Sequence, residues 1–251
     1  MLAAGGRVAE GGPAMHDLHG ATFVCSWSGG KDACLAMHRA VAAGGVPRAL
    51  ICLAREDGKT TLTHGIPVSL VQAQADSLHL PLEICPGSWH MYESVWAQAL
   101  QRQVAAGVQA AVFGDLFITR HRDWERRVCH NLGLRPLNPL WRESSRALAN
   151  ELFATHTKAV ITCLLAEKLD PSYLGREVTP ALLNEIEAAG VDPFGEHGEY
   201  HTLVLDTDLF AESIEAAPVG RYLHDGYWYL DFGDGPPVGQ TTPRPRTGGI
   251  Q

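Results

Sequence analysis

The sequence predicts an α/β protein, a five-stranded parallel sheet with helices on both faces, followed by a smaller C-terminal α+β segment. Three observations lead there. Short apolar runs alternate five times with longer stretches of helical period. Glycine or proline punctuates most of the junctions. The composition, 45% hydrophobic and 19% charged over 251 residues, is that of a folded chain with a sizeable core.

Residues 21–26 (ATFVCS) read as a buried strand. Residues 31–43 follow as a helix with Cys34, Met37, His38 and Val41 at 3–4 spacing, ended by Gly44 and Gly45. Residues 48–54 are the second strand, and residues 68–78 a helix entered through Pro67. A short third strand spans 82–85, and a helix over 91–106 ends at Gly107. The fourth strand is 110–113, and its helix, 120–132, stops at Gly133. A fifth helix over 144–155 leads to a fifth strand at 158–163 (KAVITC). Parallel strands need crossover connections, which this alternation supplies. Ligands of such sheets bind at the carboxyl ends of the strands, near a switch in strand order.

The pattern changes after about residue 170. A helix over 177–189, a Gly- and Glu-rich turn, a strand at 201–205 and an aromatic, strand-like stretch at 222–232 form an acceptor-side domain over 170–232 that covers the mouth of the sheet domain, 21–169. Residues 1–20 and 233–251 read as loose tails. The first lacks the apolar core of a signal peptide, and Met15 is an alternative start.

The formal net charge of −8 argues against nucleic acid as a partner. No apolar run reaches the roughly 18 residues that a membrane helix needs. The six cysteines are scattered without a Cys-x-x-Cys pair, which speaks against a zinc ribbon and for buried thiols in a reducing, cytoplasmic compartment. Self-association is left open.

The chemistry concentrates in the loop Ser26-Trp27-Ser28-Gly29-Gly30-Lys31-Asp32-Ala33 between the first strand and first helix. Two glycines let the backbone approach an anion, and a helix N-terminus aims free N–H groups at it. Ser26 and Ser28 can add hydroxyl donors, and Lys31 a full charge. The loop is neither a Walker A loop nor a Gly-x-Gly-x-x-Gly dinucleotide turn.

Ser-Gly-Gly-Lys-Asp resembles the signature of the PP-loop ATP pyrophosphatases, which cleave ATP to AMP and pyrophosphate on a Rossmann-like fold of the adenine nucleotide alpha hydrolase type. The resemblance implies that Ser28, Gly29, Gly30 and Lys31 hold the pyrophosphate side and that Asp32 partners Mg²⁺. Ala33 stands where the family often has Ser.

Further stretches narrow the resemblance: Gly114-Asp115; Arg120-His121-Arg122-Asp123-Trp124-Glu125 with Cys129; Asn138-Pro139-Leu140-Trp141; and Asp192-Pro193-Phe194-Gly195-Glu196-His197-Gly198-Glu199-Tyr200-His201-Thr202. Together with the loop they are similar to the diphthine–ammonia ligase family over about residues 22–206. That similarity implies an amide ligase that adenylates a carboxylate with ATP, releases pyrophosphate and joins the acyl group to ammonia. Its partners are then ATP, ammonia and a carboxylate acceptor, which in the family is a modified histidine of elongation factor 2.

Asp115 is expected to contact nucleotide, metal or acceptor, or to cap a helix. Arg120 and Arg122 are candidates for the acceptor or phosphate, or else part of a solvated charged face with Asp123 and Glu125. Glu196 or Glu199 could orient ammonia or accept its proton, with His197, where the family usually has Asn, beside the acceptor; a charged turn is the alternative. His197 and His201 show no third ligand at metal spacing. His64 is placed near the nucleotide by resemblance, or is structural. By fold analogy adenine docks on the backbone at Leu53 and Ala54. Trp141 and residues 173–175 are packing around the site. Two other readings stay open: a non-enzymatic adenine-nucleotide-binding module, and a tRNA-modifying PP-loop enzyme.

Overall fold

The computed structural model describes residues 18–195 and 197–233; the two expected tails lie almost wholly outside them. The chain begins with β1 (Thr22–Ser26), α1 (Lys31–Ala42), β2 (Val46–Ala54), α2 (Val68–Ser77), β3 (Leu82–Pro86), α3 (Tyr92–Ala105), β4 (Ala110–Val112), α4 (Thr119–Asn131), β5 (Arg135–Leu137) and α5 (Ser145–Ala154). All five strands pair in parallel, in the order β3-β2-β1-β4-β5. Strand order switches direction between β1 and β4, so the carboxyl ends of those two strands form the crevice where a ligand is expected.

Side chains alternate across this sheet as a period of two demands. Phe23, Cys25, Leu50, Cys52, Ala110 and Val112 face one layer, which holds Cys34, Met37, Val71, Leu148 and Leu152 of α1, α2 and α5. Val24, Ile51 and Ala111 face the other, which holds Trp96 and Leu100 of α3 and Trp124, Val128 and Cys129 of α4. Leu35 and Met37 lose essentially all exposure, which stabilises the fold by about 1.5–3 kcal/mol each. The six cysteines are buried and free. Burial pushes the thiols of Cys34 and Cys52 up to about 12, so both stay protonated.

One expectation is corrected. The strand expected at 158–163 is not the fifth member of the parallel sheet. β6 (Lys158–Leu165) pairs antiparallel with β7 (Tyr200–Asp206) and with β9 (Tyr227–Asp231). With β8 (Gly220–His224) they form a second sheet ordered β7-β6-β9-β8. The fifth parallel strand is instead Arg135-Pro136-Leu137, three residues at the sheet edge. It is too short to show a period, and its proline is tolerated because an edge strand has one side free of ladder bonds. Residues of the second sheet, among them Ala159, Ile161, Leu203 and Val204, share the first core with α1. The helix expected from 177 starts later, as α6 (Pro180–Ala188). Thr179 caps it by accepting from the Leu182 amide at 3.2 Å, and Glu177 bridges to Val160 instead.

Candidate functional site

The loop expected to hold phosphate stands at the switch point. Gly29 sits at φ +83, in the left-handed region that favours glycine. Gly30 is the N-cap of α1 and supplies no side-chain cap to its first turn. The Ser28 hydroxyl accepts weakly from the Gly30 amide at 3.4 Å. One donor is already engaged: the Lys31 amide donates to Thr202 Oγ1 at 3.0 Å. Thr202 lies at the start of β7, and the next bond along that strand runs from the Val204 amide to Gly29 O at 2.9 Å. The edge of the second sheet is thus laid directly on the loop.

The loop is enclosed on three further sides. His64 lies over Gly30, where an added Cβ would collide with its ring and come within 3.1 Å of Thr202 O. His64 donates from Nδ1 to Thr202 O at 3.0 Å and stacks on His201 with centroids 4.5 Å apart. Gly114 presses on the loop's helical end, its pro-Cβ position 2.9 Å from both Ala33 N and Asp32 C. Beneath, the side chain of Gln74, fully buried on α2, donates to Gly29 O at 3.0 Å and Val204 O at 2.7 Å and accepts from Trp27 Nε1 at 2.9 Å.

Lys31 departs from the expectation of a charge presented to phosphate. Its side chain is 2% exposed, with Nζ 3.0 and 3.1 Å from the two Asp32 oxygens. The ammonium also lies 4.2 Å from the ring of Phe194, in the turn ahead of β7, and 5.2 Å from that of Tyr200, the first residue of β7, both fully buried. Asp32 keeps 30% of its side chain exposed. Burial raises its carboxyl above the usual range, Lys31 opposes, and the charge of Asp115 adds to the rise.

Asp115, just past β4, caps no helix, because Ile118 holds the N-cap position of α4. Asp115 accepts from His121 Nδ1 at 2.8 Å. Burial presses its carboxyl upward, but hydrogen bonds from His121 and Glu125 outweigh that and hold it below the ordinary carboxylate range. Glu125 is 1% exposed, so it is no part of a solvated face. Burial pushes it well above the usual range, with Asp115 adding to the shift, and Asn138 Nδ2 donates to its Oε2 at 2.6 Å. The pair is thus asymmetric, with Asp115 favoured in its ionised form and Glu125 in its protonated form.

A raised carboxyl means that the native state binds more protons than the unfolded chain, so stability falls as pH rises above the ordinary glutamate value. Glu125→Gln reproduces the donor and acceptor of the protonated acid. It is expected to flatten the decline of unfolding free energy between about pH 5 and about pH 8. Urea denaturation at the two values measures this, and a slope equal to the wild type's refutes the proton on Glu125.

Other expected residues scatter. Arg122 stacks on Trp141, 4.2 Å from the ring, and its charge is felt by Glu125, whereas Arg120 is exposed on the first turn of α4. Ser26 is half-buried at the end of β1. The carbonyls of Leu53 and Ala54 are engaged by the Leu62 and Gly87 amides, each at 3.0 Å. Glu199 is 7% exposed and accepts from the His197 amide at 2.8 Å, which folds the turn, while His197 itself is exposed. Glu196 lies outside the described residues. Among the described residues no group of three or more His, Cys, Asp or Glu is placed to hold a metal, and no helix is long and apolar enough to cross a membrane.

A parallel sheet with a Ser-Gly-Gly-Lys-Asp turn at its switch point defines a nucleotide-binding α/β protein of the PP-loop class. Family models extend the assignment along the chain. That of the diphthamide synthase N-terminal domain matches residues 21–136, and that of the C-terminal domain residues 144–234. The chain belongs to the diphthamide synthase family. Among curated proteins, the diphthine–ammonia ligase of Rattus norvegicus is 28% identical over 216 residues, covering 74% of this chain and 79% of that one. The diphthine–ammonia ligase of Schizosaccharomyces pombe is 29% identical over 209 residues, and this chain spans 34% of its length. A solved predicted subunit of tRNA methyltransferase from Methanocaldococcus jannaschii aligns with a TM-score of 0.41 and 13% identity, over 74% of this chain and 97% of that one.

Proposed function

We propose that this protein is an ATP-dependent amide ligase that adenylates a carboxylate, releases pyrophosphate and transfers the acyl group to ammonia. The observation that carries this reading is the N-terminus of α1, with glycine at its N-cap, behind left-handed Gly29 at the switch point of a parallel sheet. Relatives named diphthine–ammonia ligase supply the reaction class.

In this reading Ser28 and the amides around Gly30 receive the β- and γ-phosphates. The acceptor carboxylate oxygen attacks the α-phosphorus, the bond from that phosphorus to the bridging oxygen breaks, and pyrophosphate leaves. Ammonia then attacks the acyl carbon, AMP departs with the bonding electrons, and the nitrogen loses a proton. No covalent protein nucleophile is needed, so the work of the chain is to neutralise charge and keep water away. Asp32 suits Mg²⁺, which takes one or two carboxylates together with substrate phosphates, and its partly exposed side chain and first-turn position fit that habit. The ion would offset phosphate charge there. Lys31 holds Asp32 and docks the 192–200 turn through Phe194 and Tyr200, which brings the turn carrying Glu199 and His197 to the phosphate loop. Glu199 and Glu196 remain the candidates for taking the ammonia proton.

The test is product analysis with ATP, Mg²⁺ and ammonium, with and without a panel of carboxylates that includes a diphthine-bearing protein. AMP and pyrophosphate, formed with an acceptor present, are expected. ADP and phosphate as the products overturn the proposal.

A further inference from the structure

We infer that Gln74 is a positioning residue for nucleotide binding: its amide holds the phosphate loop in its anion-receiving shape and ties that shape to the edge of the second sheet. The inference rests on the ATP reading above and extends it to a residue outside the loop and outside every motif noted in the sequence.

Gln74 is a polar side chain in the middle of α2 with no exposed surface. Burying an amide among apolar groups is unfavourable unless its donors and acceptor are matched. Here both are. The two Nε2 protons go to Gly29 O and Val204 O, and Oε1 receives the Trp27 indole N–H. The three partners are two residues of the loop and one of β7. Gly29 O also accepts from the Val204 amide at 2.9 Å, so two donors fix the peptide that follows left-handed Gly29. A carbonyl pinned from behind in this way fixes the plane of the peptide, whose N–H, on Gly30, is directed to the Ser28 hydroxyl at 3.4 Å.

The chemistry is specific to an amide. A carboxylate has no donor, a methionine neither donor nor acceptor, and a lysine would put a charge against Ile66 and Val71, the apolar residues that also flank Gly29. Space is specific too: an added Cβ on Gly29 would lie 3.1 Å from Gln74 Oε1, so the two residues are fitted to each other. The N-cap residue of α1, Gly30, has no side chain to offer that helix, and the Lys31 amide is taken by Thr202 of β7. The shape of the turn in front of the helix is therefore set from Gln74 and β7.

The test compares wild type, Gln74→Glu and Gln74→Met by two measurements. One is the dissociation constant for Mg²⁺–ATP, taken well below the melting temperature of each form. The other is amide hydrogen exchange of residues 29–32 in the absence of nucleotide. A protonated glutamate keeps one donor and the acceptor, so a graded series is expected. Gln74→Met weakens ATP by about tenfold or more and speeds loop exchange, and Gln74→Glu falls between it and the wild type. A merely structural role would lower the melting temperature and raise exchange throughout the first core without a selective change at the loop. That result overturns the inference, as does a folded Gln74→Met that binds ATP and protects the loop like the wild type. A wild type that binds no ATP strikes the nucleotide reading instead, and the clamp is then decided by the exchange series alone.

Discussion

Asp32→Asn is expected to lower AMP formation by on the order of a thousandfold while leaving the fold intact, and Asp32→Ala to lower both. The difference comes from Lys31. Its ammonium is 2% exposed and its hydrogen-bonding oxygens are those of Asp32. Asparagine keeps an oxygen in that place, whereas alanine removes the carboxylate from a buried charge that faces the Phe194 and Tyr200 rings. Stranding one member of a buried pair costs up to roughly 3–5 kcal/mol, reduced here because Asp32 is about one-third exposed to screening solvent. Catalysis depends on the carboxylate's charge. Asp32 is the charged oxygen donor in the first turn of α1, and a factor of about a thousand corresponds to about 4 kcal/mol of lost transition-state stabilisation. Steady-state assays of AMP release and thermal unfolding of the two variants separate these effects. An Asp32→Asn variant with wild-type turnover removes Asp32 from the chemistry.

The same residues show what a sequence can and cannot disclose. β1 to β4 and their helices were legible because each carries its own period and terminator, and the loop was legible because Ser-Gly-Gly-Lys-Asp is contiguous. β5 was not, since three residues hold no period and Pro136 argues against a strand. Nor was the pairing of β6: an apolar run states that a strand is buried and not which strand it meets. For Lys31 the sequence shows a charge in the loop but not where that charge points. Its neighbours Phe194 and Tyr200 lie more than 160 positions away, and only the docking of the second sheet brings them over it. Gln74 and Glu125 were hidden for the opposite reason. Both sit in helices whose polar residues normally face water, and what marks them is burial, which composition does not show. A weak signal existed for Gln74: it falls on the apolar face with Val71 and Ala75, at helical spacing, where a glutamine is out of place.

Gly114→Ala is the harsher test of the crevice, because nothing near it can move aside. The added methyl group would lie 2.9 Å from Ala33 N and Asp32 C and 3.1 Å from Asp32 O, all of them backbone atoms. A clash with a flexible side chain is relieved by a rotamer change. This one requires the first turn of α1 to withdraw from the end of β4, or β4 to bend. Overpacking of this kind costs typically 1–3 kcal/mol in stability. The larger effect falls on binding. Asp32 and the α1 amides are displaced together, and a shift of about 1 Å at a positioned group costs about a hundredfold in rate. Gly114→Ala is therefore expected to stay folded, to weaken Mg²⁺–ATP and to cut AMP formation by about a hundredfold or more. Gly133→Ala is the control. That glycine is also a sheet-proximal turn residue, but an added Cβ meets nothing within 4 Å, so its cost is confined to its left-handed φ of +71. Calorimetric titration and turnover of the two variants, each scored against its own melting temperature, decide the matter. If Gly114→Ala binds nucleotide no worse than Gly133→Ala, the close approach of β4 to the phosphate loop is packing alone, and the crevice between β1 and β4 is not where the nucleotide sits.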